Sequence, residues 1–220
     1  MNRPPTMNRY LTSAYYTEDR ERLVLFLRHF PLAMVVPQDV RSGSPVFLPL
    51  VVEEAMTARS AEPVEVTLVG HLDNHNPALA CLDNHKVRAV FLGPNAYISP
   101  TDYATRQFPT WNYAVAQAAG MSRVIRDEEE KRSHMIQAVE FFETANGSDY
   151  RLDPDTPEFS SQLRNISFFR ITVDVLGGTF KFAQEKSWED RTRALDALME
   201  KSRRHQQRTV RVLADMEGTA

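Results

Sequence analysis

The sequence predicts an α+β fold, a small antiparallel β-barrel with peripheral helices. Three observations carry that prediction. Between residues 32 and 126 the chain divides into short apolar or alternating runs, each stopped by proline, glycine or polar turn formers. Helical periodicity is confined to a few segments beside and after that region. Strands and helices do not alternate regularly, which argues against a parallel βαβ array. At 220 residues the chain reads as one domain, residues 1–220, with about 201–220 forming a basic tail.

The elements follow in chain order. The opening to Tyr16 has prolines and three tyrosines and reads as an arm or first short strand. Thr17 followed by Glu18 and Asp19 is a helix start, because a hydroxyl accepts from free N–H groups and acids favour the positive helix end. Leu23, Phe26, Leu27 and Phe30 continue at helical spacing until Pro31. Leu32–Val36 and Val46–Val52 are apolar β runs, with residues 38–44 as the turn between them. Val64–Leu72 alternates and leads into Asp73-Asn74-His75-Asn76-Pro77, a polar helix entry with proline suited to the first helical position. Residues 78–82 make a short helix. Val87–Leu92 is a strand stopped by Gly93-Pro94-Asn95, and Ala96–Ile98 is a further piece. Trp111–Ala118 alternates up to Gly120, and Ser122–Ile125 continues the sheet. Residues 127–145 are a helix with an acidic start and an apolar stripe of Met135, Val139 and Phe142. A short helix covers 158–165. Phe168–Val175 and Thr179–Gln184 are strands about a turn at Gly177-Gly178. Ser187 caps a last helix to about residue 202.

Composition excludes several classes. Every apolar run ends well short of the ~18 residues a membrane helix needs. The start, Met1-Asn2-Arg3-Pro4-Pro5, lacks the pattern of a secretory signal, and the expectation is a cytoplasmic protein. The net charge of -3 argues against a predominantly basic nucleic-acid surface. The single cysteine, Cys81, allows no internal disulfide and no cysteine-based metal cluster. There is no phosphate-binding glycine loop, no G-x-S-x-G elbow and no zinc-protease helix.

Three stretches are candidates for chemistry. Gly93–Pro100 with Phe108–Tyr113 combines fixed turns, the aromatics Tyr97, Trp111 and Tyr113, and the polar groups of Ser99, Thr110 and Asn112. That mixture suits a planar ligand with a polar edge, although composition alone favours a tight barrel corner with core aromatics. Gly70–Pro77 puts His71 at a strand end before open N–H groups, a place for a metal or an anion, although a lone histidine is more often structural. His75 follows four residues later, but the strand-to-helix junction denies the two a common helix. In Gly177–Gln184, Lys181 lies between Phe180 and Phe182. By strand alternation it faces away from both, either into solvent or onto a ligand as a desolvated cation.

Together, Gly93–Pro100, Pro109–Asn112, Gly70-His71 with Asn76-Pro77, and Phe180-Lys181 with Gln184 resemble the PaiB family of split-barrel proteins, commonly described as FMN-binding regulators. The resemblance runs from about residue 10 to about residue 200. It implies a six-stranded antiparallel split barrel, and a homodimer with cofactor sites at the subunit interface. A branch of that family, the haem-dependent piperazate synthases, is similar in the Gly93-Pro94-Asn95-Ala96 and Gln184-Glu185 positions. That branch implies haem b as cofactor and an N-hydroxylated amine as substrate, with an N–N bond formed between the hydroxylated nitrogen and a second amine in natural-product biosynthesis. His71 is then the iron ligand, and Lys181 orients a substrate carboxylate or manages a proton. Asn76, Tyr97, Ser99, Thr110, Trp111, Asn112 and Gln184 join His71 as cofactor-binding residues. The alternatives are an FMN-binding oxidoreductase or PaiB-type regulator, and a regulator without a cofactor. The chain departs from the family pattern where Asn74 stands in place of an arginine and where Val46-Phe47-Leu48-Pro49 replaces a polar T-H-x-P segment.

Overall fold

A computed structural model describes residues 14–38, 44–54 and 66–217. The opening arm before residue 14, most of the 38–44 turn, the first two residues of the Val64 run and residues 218–220 lie outside them. The elements are β1 (Tyr16–Thr17), α1 (Arg20–His29), β2 (Leu32–Pro37), β3 (Val46–Pro49), β4 (Val51–Glu54), β5 (Val66–Asp73), β6 (His85–Ile98), β7 (Thr110–Val124), α2 (Glu128–Asn146), α3 (Pro157–Asn165), β8 (Ile166–Lys181) and α4 (Trp188–Glu217). Two 3-10 turns cover Pro77–Cys81 and Pro100–Asp102.

The sheet has 8 strands in the order β3-β2-β6-β7-β8-β5-β4, with β1 attached to β8. It is not a closed six-stranded barrel. One added strand is β1, which pairs Tyr16 with Thr179 and Thr17 with Gly178. The other arises because the run 46–52 divides. Pro49 has no N–H to extend the ladder with β2. Leu50 then turns its own N–H to the carbonyl of Pro31 at 2.9 Å and buries its side chain completely. The chain leaves β2 and joins β5, where Val51 pairs with Val69. The two ends of the sheet are thus consecutive in sequence, separated by one residue. Gly70 of β5 lies against this corner: a β-carbon there would sit 2.6 Å from Leu48 Cδ1 and 2.7 Å from Leu50 Cδ2.

Two expected breaks are absent, and a further glycine lies inside a strand. Gly93-Pro94-Asn95 does not end a strand; β6 continues through it, and its buried positions change phase from Phe91 and Gly93 to Ala96 and Ile98. Proline and glycine are tolerated in strands at such irregular points. Gly120 lies inside β7, where a β-carbon would come within 1.8 Å of the Thr172 carbonyl oxygen. Gly177-Gly178 is not a turn, because β1 pairs with β8 at this point and keeps it extended. Elsewhere the expected elements form. Asn76 caps the turn at Pro77, accepting from Ala78 N at 3.0 Å. Asp127 caps α2, and Gly147 ends it in the left-handed conformation at φ 68. The last helix runs past residue 202 to Glu217, its exposed part made of good helix formers with Arg203 and Arg204 paired to Glu200. Among the described residues, no helix is long and apolar enough to cross a membrane.

The chain gathers into two compact units, and the division falls within three long strands. Residues 20–91 and 117–176 form one unit. Its core includes Leu23, Leu27, Val35, Leu68, Phe91 and Ile171, all fully buried. Helix α3 and half-buried residues of α2 cover Val69 and Phe168 of the sheet. The other unit takes the described residues 14–19, 92–116 and 177–217. There Ala194 and Leu198 of α4 pack with Ile98, Tyr103 and Ala183.

Candidate functional site

The residues singled out by sequence divide between the two units. His71, His75 and Asn76 belong to the unit of residues 20–91 and 117–176, and the others belong to the second.

His71 is half-buried on β5, opposite Phe168 in the ladder, with the two rings 5.2 Å apart. Burial holds its pKa below the ordinary 6.5, so the ring is neutral and keeps a lone pair at neutral pH. It lines a narrow crevice with Gly70, Glu53, His134 and Phe168. His134 is almost completely buried on α2. Its Nδ1 lies 2.6 Å from Glu53 Oε1, yet neither ring nitrogen makes an aligned hydrogen bond. Glu130, one turn earlier on α2, is paired with Arg170. Among the described residues no three ligating side chains are placed to hold a metal ion. Asn76 is occupied as a helix cap. His75 is exposed in a turn with Nδ1 2.9 Å from Asp73, and does not join His71. Asn74, in the place of the family's arginine, bonds the Arg164 carbonyl and accepts from Ser167 Oγ at 2.7 Å. It ties the end of β5 to the α3–β8 junction, a neutral structural role.

In the second unit, Lys181 Nζ donates to Thr110 Oγ1 at 2.5 Å, joining the end of β8 to the start of β7. Alternation along β7 sorts its candidates. Asn112 is fully buried, whereas Trp111 is 52% exposed. Thr110 and Asn112 share one face, Trp111 and Tyr113 the other. The single pocket of aromatics and polar groups expected from sequence is therefore two surfaces of one strand. Tyr97 is exposed at the end of β6. Ser99 caps the turn at Pro100 in a capping box with Asp102, so its polar groups are already used. Gln184 is also committed: it accepts from Phe182 N and donates to the Phe180 carbonyl. That turn holds Lys181, with Phe180 and Phe182 stacked beside it at 6.1 Å.

Asn112 differs from these, because both polar atoms of its side chain are buried and without a partner. Such a group costs about 1–3 kcal/mol unless something else satisfies it. Replacing it with leucine, which removes the unpaired groups at similar volume, is expected to raise stability by about 1–2 kcal/mol in urea denaturation of the ligand-free protein. An unchanged or lowered midpoint would show that the amide is satisfied in the protein alone.

Sequence reading overlooked Asp190. This buried residue accepts from Thr105 Oγ1, from the N–H groups of Thr105 and Ala104, and from Gln107 Nε2. It fixes the segment leading into Thr110. These bonds, the Thr105 hydroxyl first, bring its pKa from 3.8 down to about 2. A depressed carboxylate pKa adds stability that is present above pH 4 and lost as pH falls towards 2. Thermal melts across that range should show a loss in the wild type that is smaller in Asp190→Asn. His134 and Glu53 were overlooked too. The only local signal was the spacing of Glu130 and His134 on one helix face, and Glu53 is remote in sequence.

A family model described as "Putative FMN-binding domain" matches residues 9–175. The chain belongs to this family. The match covers well over half of the chain and includes His71, Asn76, Tyr97 and Thr110–Asn112, while Lys181 and Gln184 lie just beyond it. Among curated proteins, the chain is similar to the "Protease synthase and sporulation protein PAI 2" of Bacillus subtilis, 27% identical over 136 residues, 60% of this chain and 64% of that protein. The chain thus matches less than two thirds of that relative's length. Among solved structures it is similar to the FAD and heme binding protein from Mycobacterium smegmatis, with TM-score 0.54, 20% identity and coverage of 82% of this chain and 80% of that one. It is also similar to the flavocytochrome Anf3 from Azotobacter vinelandii, with TM-score 0.55, 14% identity and coverage of 83% and 78%. At these identities the structures establish the fold: an antiparallel sheet with helices, of the split-barrel kind.

Proposed function

We propose that the chain binds a flavin mononucleotide and acts as a small-molecule oxidoreductase. The family match carries the reading, and the Lys181–Thr110 pair is the feature of this chain that supports it. An ammonium has three donors, and Thr110 uses one of them. The remaining two suit a phosphate or the electron-rich edge of a flavin ring. Asn112, on the same face of β7 as Thr110, is fully buried and its amide is unsatisfied in the chain alone. Gln184 fixes the turn that follows Lys181, and Asp190 fixes the segment before Thr110. Both residues position the pair without touching the ligand. We place a second copy of the chain against the exposed rings of Tyr97 and Trp111, completing a homodimer. Bound flavin supplies hydride and single-electron transfer.

The alternative is the haem-dependent joining of two nitrogens. In its favour, His71 is neutral and half-buried, the state a metal ligand requires. Against it, the crevice beside His71 has a volume of about 20 Å³. That is room for one water molecule, far below the roughly 300–1,000 Å³ of sites that enclose a flat cofactor. The residues around His71 do not enclose a macrocycle within this chain alone, so a haem there would need the second copy, and the family match makes flavin the better-supported cofactor. Titrating the full chain into FMN and following flavin fluorescence tests the reading. Saturable quenching is expected. Its absence, with the protein folded by circular dichroism, would refute it.

A further inference from the structure

We propose that the groove between the ends of α1 and α2 binds a small planar molecule whose hydroxyl or amine arm reaches towards His71. The groove lies wholly within the unit of residues 20–91 and 117–176 and does not rest on the flavin reading. It has a volume of about 880 Å³ and is lined by Arg28 and His29 of α1, by Pro31 just after that helix, and from α2 by residues including Phe141 and Phe142. That size suits a small organic ligand. Phe141 and Phe142 stand edge to face with centroids 5.1 Å apart, and with Pro31 they give the groove an apolar wall. A flat apolar body packs well on such a wall.

The polar arm follows from what the groove adjoins. Gln137 and Phe142 line both the groove and the His71 crevice, so the two spaces share these side chains as walls. The crevice is too small for a ring but admits one or two heavy atoms. Glu53 there is an acceptor, and His71, held neutral by burial, keeps an acceptor lone pair. The nearly buried His134 stands between two carboxylates, with Nδ1 2.6 Å from Glu53 Oε1 and Nε2 3.7 Å from Glu130 Oε1, neither contact aligned as a hydrogen bond. The carboxylate of Glu53 and the lone pair of His71 make the crevice rich in acceptors, so the matching arm is a donor.

The probe is 2-naphthol, compared with 2-methoxynaphthalene, which has the same flat body but no donor. Binding to the full wild-type chain is followed by naphthalene fluorescence. Saturable 2-naphthol binding is expected, at least fivefold tighter than that of the methoxy compound. His71→Leu should remove that preference while leaving the methoxy compound bound as before. Ala145→Trp and Thr144→Trp, at exposed positions on the α2 side of the groove, should each weaken both probes at least tenfold with an unchanged thermal melt. The proposal is overturned if 2-naphthol does not saturate, if the two probes bind equally to wild type, or if neither tryptophan at 144 or 145 weakens binding in a folded protein.

Discussion

Gly120→Ala is expected to abolish the native state. The added β-carbon would lie 1.8 Å from the Thr172 carbonyl oxygen and 3.0 Å from Val173 Cα. The obstacles are backbone atoms, which cannot rotate away as a side chain can. Relief requires β7 and β8 to separate, at a loss of ladder hydrogen bonds and of the buried face around Ile171. The cost should reach or exceed about 4–5 kcal/mol, the range reserved for severe disruption. Whole-domain stability is typically about 5–15 kcal/mol. Far-ultraviolet circular dichroism with urea denaturation should therefore show a largely unfolded or strongly destabilised variant. Gly70→Ala should be milder, because its nearest neighbours are the methyl ends of Leu48 and Leu50, which can shift. A Gly120→Ala protein within about 1 kcal/mol of wild type would contradict the close approach of these strands.

Lys181→Met is expected to give the second large effect, on binding rather than folding. Methionine keeps the aliphatic length and removes the ammonium. In the free protein the loss is one hydrogen bond to Thr110 at a half-buried position, so the melting temperature should move little. With flavin present, a charge-assisted hydrogen bond to the ligand is lost, worth about 1.5–3 kcal/mol. FMN affinity should fall roughly tenfold to a hundredfold. Thr110→Val should fall less, because the ammonium remains. Equal FMN binding by wild type and Lys181→Met would remove Lys181 from the site.

Local pattern made much of this fold legible. The caps at Asn76, Asp127 and Ser187 all depend on residues a few positions apart, and all form. What local pattern could not show was pairing. Gly177-Gly178 reads as a turn until β1, more than 150 residues earlier, is paired beside it. Gly93-Pro94-Asn95 reads as a stop, yet β6 runs through it. The split of the 46–52 run depends on the Pro31 carbonyl receiving the Leu50 N–H.

The site was legible in the same uneven way. His71 at a strand end and Lys181 in a strand are placed as read. Thr110, Trp111 and Asn112 are close in sequence, but a strand sends alternate residues to opposite faces, and that rule separates the polar pair from the ring. Ser99, Asn76 and Gln184 carry the right groups for a ligand, yet their oxygens are taken by local backbone N–H groups. Glu53 and His134 meet from positions 81 residues apart, a juxtaposition that only the folded sheet and α2 create.

The most direct test of flavin binding is the visible absorption spectrum of the 220-residue chain after incubation with equimolar FMN and hemin and removal of free ligand. The flavin bands are expected, reduced in Lys181→Met and preserved in His71→Ala. A Soret band that disappears in His71→Ala, with no flavin absorption, would rule out a flavin at Lys181.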